Sequence, residues 1–124
     1  QNLVDIARLL TTADACLSYG AEGTMMRFLL AGIPQIIMPG HVEAAMAAAR
    51  FERLGVALVL RGVQNAQSIA ANLRFLVSHS ELRDHAQNFS ERHKWWQPQA
   101  AVDRVLACLG ELIPLESCEE STDA

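Results

Sequence analysis

The sequence predicts an α/β fold built on a three-stranded parallel sheet with about six helices. Three observations predict it. Strand-like and helix-like segments alternate through the first half of the chain, the strand-like segments are continuously apolar, and glycine or proline punctuates most junctions. Alternation with short connections is the pattern of βαβ units. A continuously apolar strand is one covered on both faces, as parallel strands are.

Each element has its own signal. Leu3, Ile6, Leu9 and Leu10 fall at helical spacing, which predicts a helix from Leu3 to Thr12. Ala15 to Tyr19 is short, apolar and closed by Gly20, a buried strand. Gly23 to Ala31 is helical, with Gly32 as its stop and Pro34 beyond. Gln35 to Met38 reads as a second buried strand ended by Pro39-Gly40. Glu43 to Leu54 is an alanine-rich helix stopped by Gly55, and Val56 to Leu60 a third strand. Three helices follow: Gln67 to Ser78, Glu81 to His93 and Pro98 to Leu112. The expected domain runs over residues 1–113. Beyond it, residues 114–124 form an acidic, polar tail whose composition favours disorder.

Composition narrows the function classes. Net charge is −4 and the ten Lys and Arg form no block, so nothing argues for nucleic acid or an anionic membrane surface as a partner. The three cysteines show no C-x-x-C spacing, and no histidine has a defensible ligand partner, so no metal, redox or disulfide framework is read. A reduced, cytoplasmic compartment is the default expectation. The apolar runs are too short to span a bilayer, and no cofactor is implied. The chain opens on Gln1 and is at once helix-like, which reads as part of something longer.

The chemistry-bearing segment is the turn Tyr19-Gly20-Ala21-Glu22-Gly23-Thr24 between strand and helix. Glycines let a backbone approach a ligand closely, and the following helix presents unpaired amides and the positive end of its dipole to an anion. Thr24 adds a hydroxyl. Plain helix-start chemistry accounts for Gly23-Thr24 equally well.

The wider context runs Ala13-Asp14, strand, turn with Gly23-Thr24, Ala31-Gly32-Ile33-Pro34, strand, Pro39, Glu43, Ala48-Ala49-Arg50 and Leu54-Gly55. In order and spacing, without a gap over about a third of the chain, it resembles the carboxy-terminal signature of the GT-B UDP-glycosyltransferases. The resemblance implies the second half of a Rossmann-like donor-binding domain. It further implies transfer of a sugar from a nucleotide diphosphate, UDP by family habit, to an acceptor hydroxyl. A nucleotide sugar is then the small-molecule partner. The catalytic base would lie in an acceptor domain outside this chain, so no catalytic residue is assigned here, and the segment alone is expected to be inactive.

By the same resemblance the diphosphate lies against Tyr19, Gly20, Ala21, Gly23 and Thr24, and Glu43 accepts hydrogen bonds from the sugar. Glu43 also reads as an ordinary first-turn acid favoured by the helix dipole. His41 is a further candidate near the sugar, or simply an exposed loop histidine. The departures are equally specific. Tyr19 stands at the family's histidine, Ala21 at its second glycine, Ala44 at the amide of its acid–Gln pair, Ala47 at its asparagine and Arg27 at a glutamate. Ala21 carries a Cβ where the resemblance implies close backbone approach or a positive φ. Glu22 puts a carboxylate beside the diphosphate, and the expectation is that it caps the helix itself and competes with the donor. These losses support a second reading, a degenerate, non-catalytic binding or scaffold subunit. Finally, the first strand would have an open apolar edge, seeking either the rest of the enzyme or a second copy.

Overall fold

The computed structural model describes residues 5–113. The predicted alternation is present: α1 (Ile6–Thr12), β1 (Cys16–Ser18), α2 (Glu22–Leu30), β2 (Gln35–Ile37), α3 (Val42–Arg53), β3 (Ala57–Val59), α4 (Ala66–Ser78), α5 (Ser80–Arg92) and α6 (Pro98–Leu112). Leu3, the expected start of the first helix, and the tail at 114–124 lie outside the described residues. Within them, α1 begins at Ile6 because Asp5 caps it, its Oδ1 accepting from the Ala7 and Arg8 amides at 3.0 and 3.4 Å.

The sheet is parallel throughout, in the order β1-β2-β3. Its rungs are Cys16–Gln35–Ala57, Leu17–Ile36–Leu58 and Ser18–Ile37–Val59. β2 is buried at every position, while β1 pairs only with β2 among the described residues and leaves Leu17 exposed. Among the described residues β3 likewise pairs on one side only, so both outer strands are edges.

Two helices end the way the sequence signals. Gly32 and Gly55 take φ of +75° and +68°, the left-handed conformation that suits glycine just past a helix. Gly32 N–H donates to Leu29 O and Ile33 N–H to Phe28 O. Gly55 N–H donates to Glu52 O and Val56 N–H to Phe51 O. These are paired Schellman bonds, and each places an apolar pair, Phe28–Ile33 and Phe51–Val56, in the same buried cluster. The turn that stops each helix thus also seats the start of the next strand.

The main core gathers Met25 and Leu29 of α2, Ile37 of β2, Ala48 and Phe51 of α3, Val56 and Ala57 at β3, and Ala86 of α5. A smaller cluster holds Cys16, Phe28 and Ile33 under Leu10 and Ala13. Burial there pushes the Cys16 thiol up, which keeps it an inert apolar filler. Met25 fills the core as its helical position suggests, whereas Met46 lies on the exposed face of α3. Gln35, fully buried, reaches out of the sheet to donate from Nε2 to Met25 O at 2.8 Å, tying β2 to α2.

α5 packs on α2 and is pinned by two side chains. Ser90 Oγ donates to Leu30 O at 2.6 Å, and His85 Nδ1 lies 3.2 Å from Gly55 O. α4 packs on β2, capped by Asn65, whose Oδ1 accepts from Ser68 N–H at 2.8 Å. Arg61 clamps Glu52 in a bidentate pair at 2.6 and 3.2 Å and holds its carboxyl below the usual range. Both partners are largely exposed, so the pair contributes little to stability.

Residues through Lys94 form one compact unit, and a second begins at Trp95. That unit contains α6, which opens on Pro98 and carries Val102, Val105, Leu106, Leu109 and Leu112 at helical spacing.

Candidate donor site

The site is built where the chain leaves β1 and β2, at the carboxyl ends of the strands, the side on which parallel α/β sheets bind ligands. Gly20 makes the first bend. Its φ is +90°, and a Cβ there would stand 3.0 Å from the Ala44 Cβ and 3.3 Å from Ile37 Cγ2. Only glycine fits both the dihedral and the space. Ala21 follows with φ −64° and ψ 115°, ordinary for a residue with a Cβ, so its replacement of the family glycine carries no backbone strain.

α2 then starts at Glu22, one residue before the expected Gly23. Its first helical bond is Met25 N–H to Ala21 O, 2.9 Å, and no side chain caps it. The amides of its first turn are therefore left without intrahelical acceptors. This corrects the expectation for Glu22. Its carboxylate does not cap the helix; it occupies the first helical position beside the pocket, where the dipole favours it without a hydrogen bond. Gly23 and Thr24 lie within the first turn, and a Cβ at Gly23 would meet nothing within 4 Å.

Facing this turn is the start of α3. His41 is its N-cap, its Nδ1 accepting from Ala44 N–H at 3.3 Å. A ring nitrogen that accepts carries no proton, so the hydrogen sits on Nε2. Glu43 lies in the first turn of α3, and the cap beside it is supplied by His41. Gly20, Ala21, Glu22, His41, Glu43, Ala44 and Ala47 together line a pocket of about 110 Å³. That is below the several hundred cubic ångströms that drug-sized ligands occupy, so it has room for only part of such a ligand.

Tyr19 is separate. It is 75% exposed and lines a neighbouring groove with Met38, Pro39, Leu60 and Ile69, where the carboxyl ends of all three strands meet α4. The structure therefore brings Gly20, Ala21, Glu22, His41 and Glu43 into one pocket and places Tyr19 in another. A larger hollow, lined by Leu54, Val56, His85 and Phe89, opens at the beginning of β3. It lies at the amino ends of the strands, away from the ligand side. Among the described residues no group of three or more His, Cys, Asp and Glu is placed to hold a metal, and no helix is long and apolar enough to cross a membrane.

Comparison with known proteins agrees with this fold. Residues 1–107 match the family described as erythromycin biosynthesis protein CIII-like, C-terminal domain. The aclacinomycin-T 2-deoxy-L-fucose transferase of Streptomyces galilaeus is 29% identical over 106 residues, covering 85% of this chain and 22% of that protein. Glycosyltransferase GtfC of Amycolatopsis orientalis is 37% identical over 59 residues, 48% of this chain and 14% of that one. The chain thus spans less than a quarter of the length of these relatives. Among solved structures, the calicheamicin glycosyltransferase CalG4 superposes with a TM-score of 0.75 at 31% identity, over 87% of this chain and 28% of that one. The spinosyn forosaminyltransferase SpnP shares the fold, with a TM-score of 0.76 at 19% identity, over 89% and 30%. With the parallel sheet, the glycine bend and the family match in agreement, the chain belongs to the erythromycin CIII-like C-terminal domain family and has the fold of the carboxy-terminal, donor-side domain of GT-B glycosyltransferases.

Proposed function

We propose that this chain forms the donor-binding part of an enzyme that transfers a sugar from a nucleotide diphosphate, UDP in the first instance, to an acceptor hydroxyl. The observation that carries the reading is the uncapped N-terminus of α2 opening onto a pocket whose other wall is His41 and Glu43. Gly20 allows the backbone to approach the diphosphate. The first-turn amides, including those of Gly23 and Thr24, together with the helix dipole stabilise negative charge as the diphosphate leaves. Glu43 accepts hydrogen bonds from the sugar. The base that deprotonates the acceptor belongs to the rest of the enzyme, and the edge of β1 is where the remainder of the sheet, or a second copy, would continue.

Ala44 and Ala47 give the pocket an apolar side where the family carries amides. A sugar hydroxyl facing them loses a partner, at about 0.5–1.5 kcal/mol per hydrogen bond. A donor with fewer hydroxyls loses less, and the 2-deoxy-L-fucose transferase similarity is in keeping with such a donor.

The test is binding of UDP, dTDP and UDP-glucose by calorimetry and thermal shift. Saturable binding of a nucleotide diphosphate is expected. Silence toward all three would discard the donor reading and leave the scaffold reading, which Glu22, Ala44 and Ala47 favour. The same titration predicts an effect at Glu22. Its carboxylate repels a diphosphate across the pocket, so Glu22→Gln should tighten UDP binding by about two- to fivefold, the equivalent of about 0.5–1 kcal/mol of partly screened repulsion. Weaker binding in that variant would make Glu22 a ligand contact.

A further inference from the structure

Resting on the donor-site reading, we infer that His41 donates from Nε2–H to the donor diphosphate. Tyr19, one residue before the glycine bend, lines the adjoining groove with Met38, Leu60 and Ile69 instead. His41 comes from the opposite wall, the loop between β2 and α3, and lines the same pocket as Gly20, Ala21 and Glu22. The imidazole is supplied from across the pocket.

Two features fit His41 to this task. Its Nδ1 is occupied by the Ala44 amide, which fixes both the tautomer and the plane of the ring. The remaining ring nitrogen is then an N–H donor held in place by the helix it caps, as a positioned ligand contact requires. His41 is otherwise exposed, so no packing role explains the residue. The charged groups around it are Glu22 of α2 and Glu43 of α3, both carboxylates on the same pocket.

Capping and ligand binding are separable by His41→Asn. Asparagine is among the best N-caps, so its Oδ1 keeps the Ala44 amide satisfied, while the shorter side chain withdraws the second N–H. Melting temperature should stay within about 4 °C of wild type. Affinity for UDP and dTDP should fall about tenfold or more, the size of one lost charge-assisted hydrogen bond, with a smaller loss toward UMP and dTMP. In wild type, the His41 Nε2 resonance should move on adding UDP while the Nδ1 signal stays that of an acceptor. An unchanged ratio of diphosphate to monophosphate affinity in His41→Asn overturns the assignment, even where the wild type binds UDP and the donor reading stands. A wild type that binds no nucleotide diphosphate overturns the donor reading and this inference with it.

Discussion

Gly20→Ala should lower the stability of the domain by about 2–5 kcal/mol and abolish nucleotide binding. Two costs combine. An L-residue at φ +90° pays about 1–2 kcal/mol in backbone strain. A methyl group at 3.0 Å from the Ala44 Cβ and 3.3 Å from Ile37 Cγ2 adds an overpacking cost of about 1–3 kcal/mol, because Ile37 is fully buried and Ala44 sits on a helix. A double-mutant cycle with Ala44→Gly separates them, since it removes the methyl group at the closest contact and leaves the dihedral. The expected result is that the double variant regains part of the loss in chemical denaturation and still binds UDP poorly, because the bend that brings the backbone to the pocket remains strained. A Gly20→Ala protein with wild-type stability would mean that the turn adopts a different path.

The sheet and its helices were legible because each rests on a signal that packing reinforces. Gly32 and Gly55 stop α2 and α3 where the pattern places them, and the Schellman bonds then lock Ile33 and Val56 into the core. Element ends shifted by a residue or more for a definable reason. α2 begins at Glu22 and α3 at Val42, both exposed positions with no apolar periodicity to announce them. The absent cap on α2 removes the Ser, Thr, Asp or Asn that normally marks a start.

The site was legible as a segment and less so as a geometry. The glycine bend at Gly20 and the acid at Glu43, both singled out in the sequence, line one pocket. The direction of Tyr19 was not encoded in its position. One residue past a strand end, it is free of the alternation that assigns side chains to faces, and the groove formed by Met38, Leu60 and Ile69 receives it. Nor did His41 announce itself as a cap, since histidine is not among the residues preferred there. Its role depends on which ring nitrogen meets Ala44, a property of the ring's orientation rather than of spacing. The expected helix cap by Glu22 failed for a simple reason. A residue already at the first helical position has its side chain beyond the turn it would need to close.

Phe51→Ala should be among the most destabilising single truncations, at about 3–5 kcal/mol, and it separates fold from site. Phe51 lies in the main core with Met25, Leu29 and Val56, and its carbonyl closes the Schellman turn that seats β3. The midpoint of thermal unfolding should drop by more than about 10 °C, whereas Val42→Ala on the exposed face of the same helix should stay within about 0.5 kcal/mol of wild type. UDP affinity measured well below the lowered midpoint should change less than about twofold. The pocket end of α3 lies ten positions away, roughly 15 Å along the helix, and is held locally by the approach of Ala44 to Gly20 and the His41 cap. That outcome is the reverse of His41→Asn, where melting is spared and binding is lost. A Phe51→Ala protein that loses both together would show that the carboxyl-terminal packing of α3, and not the contacts at its start, sets the position of the pocket wall.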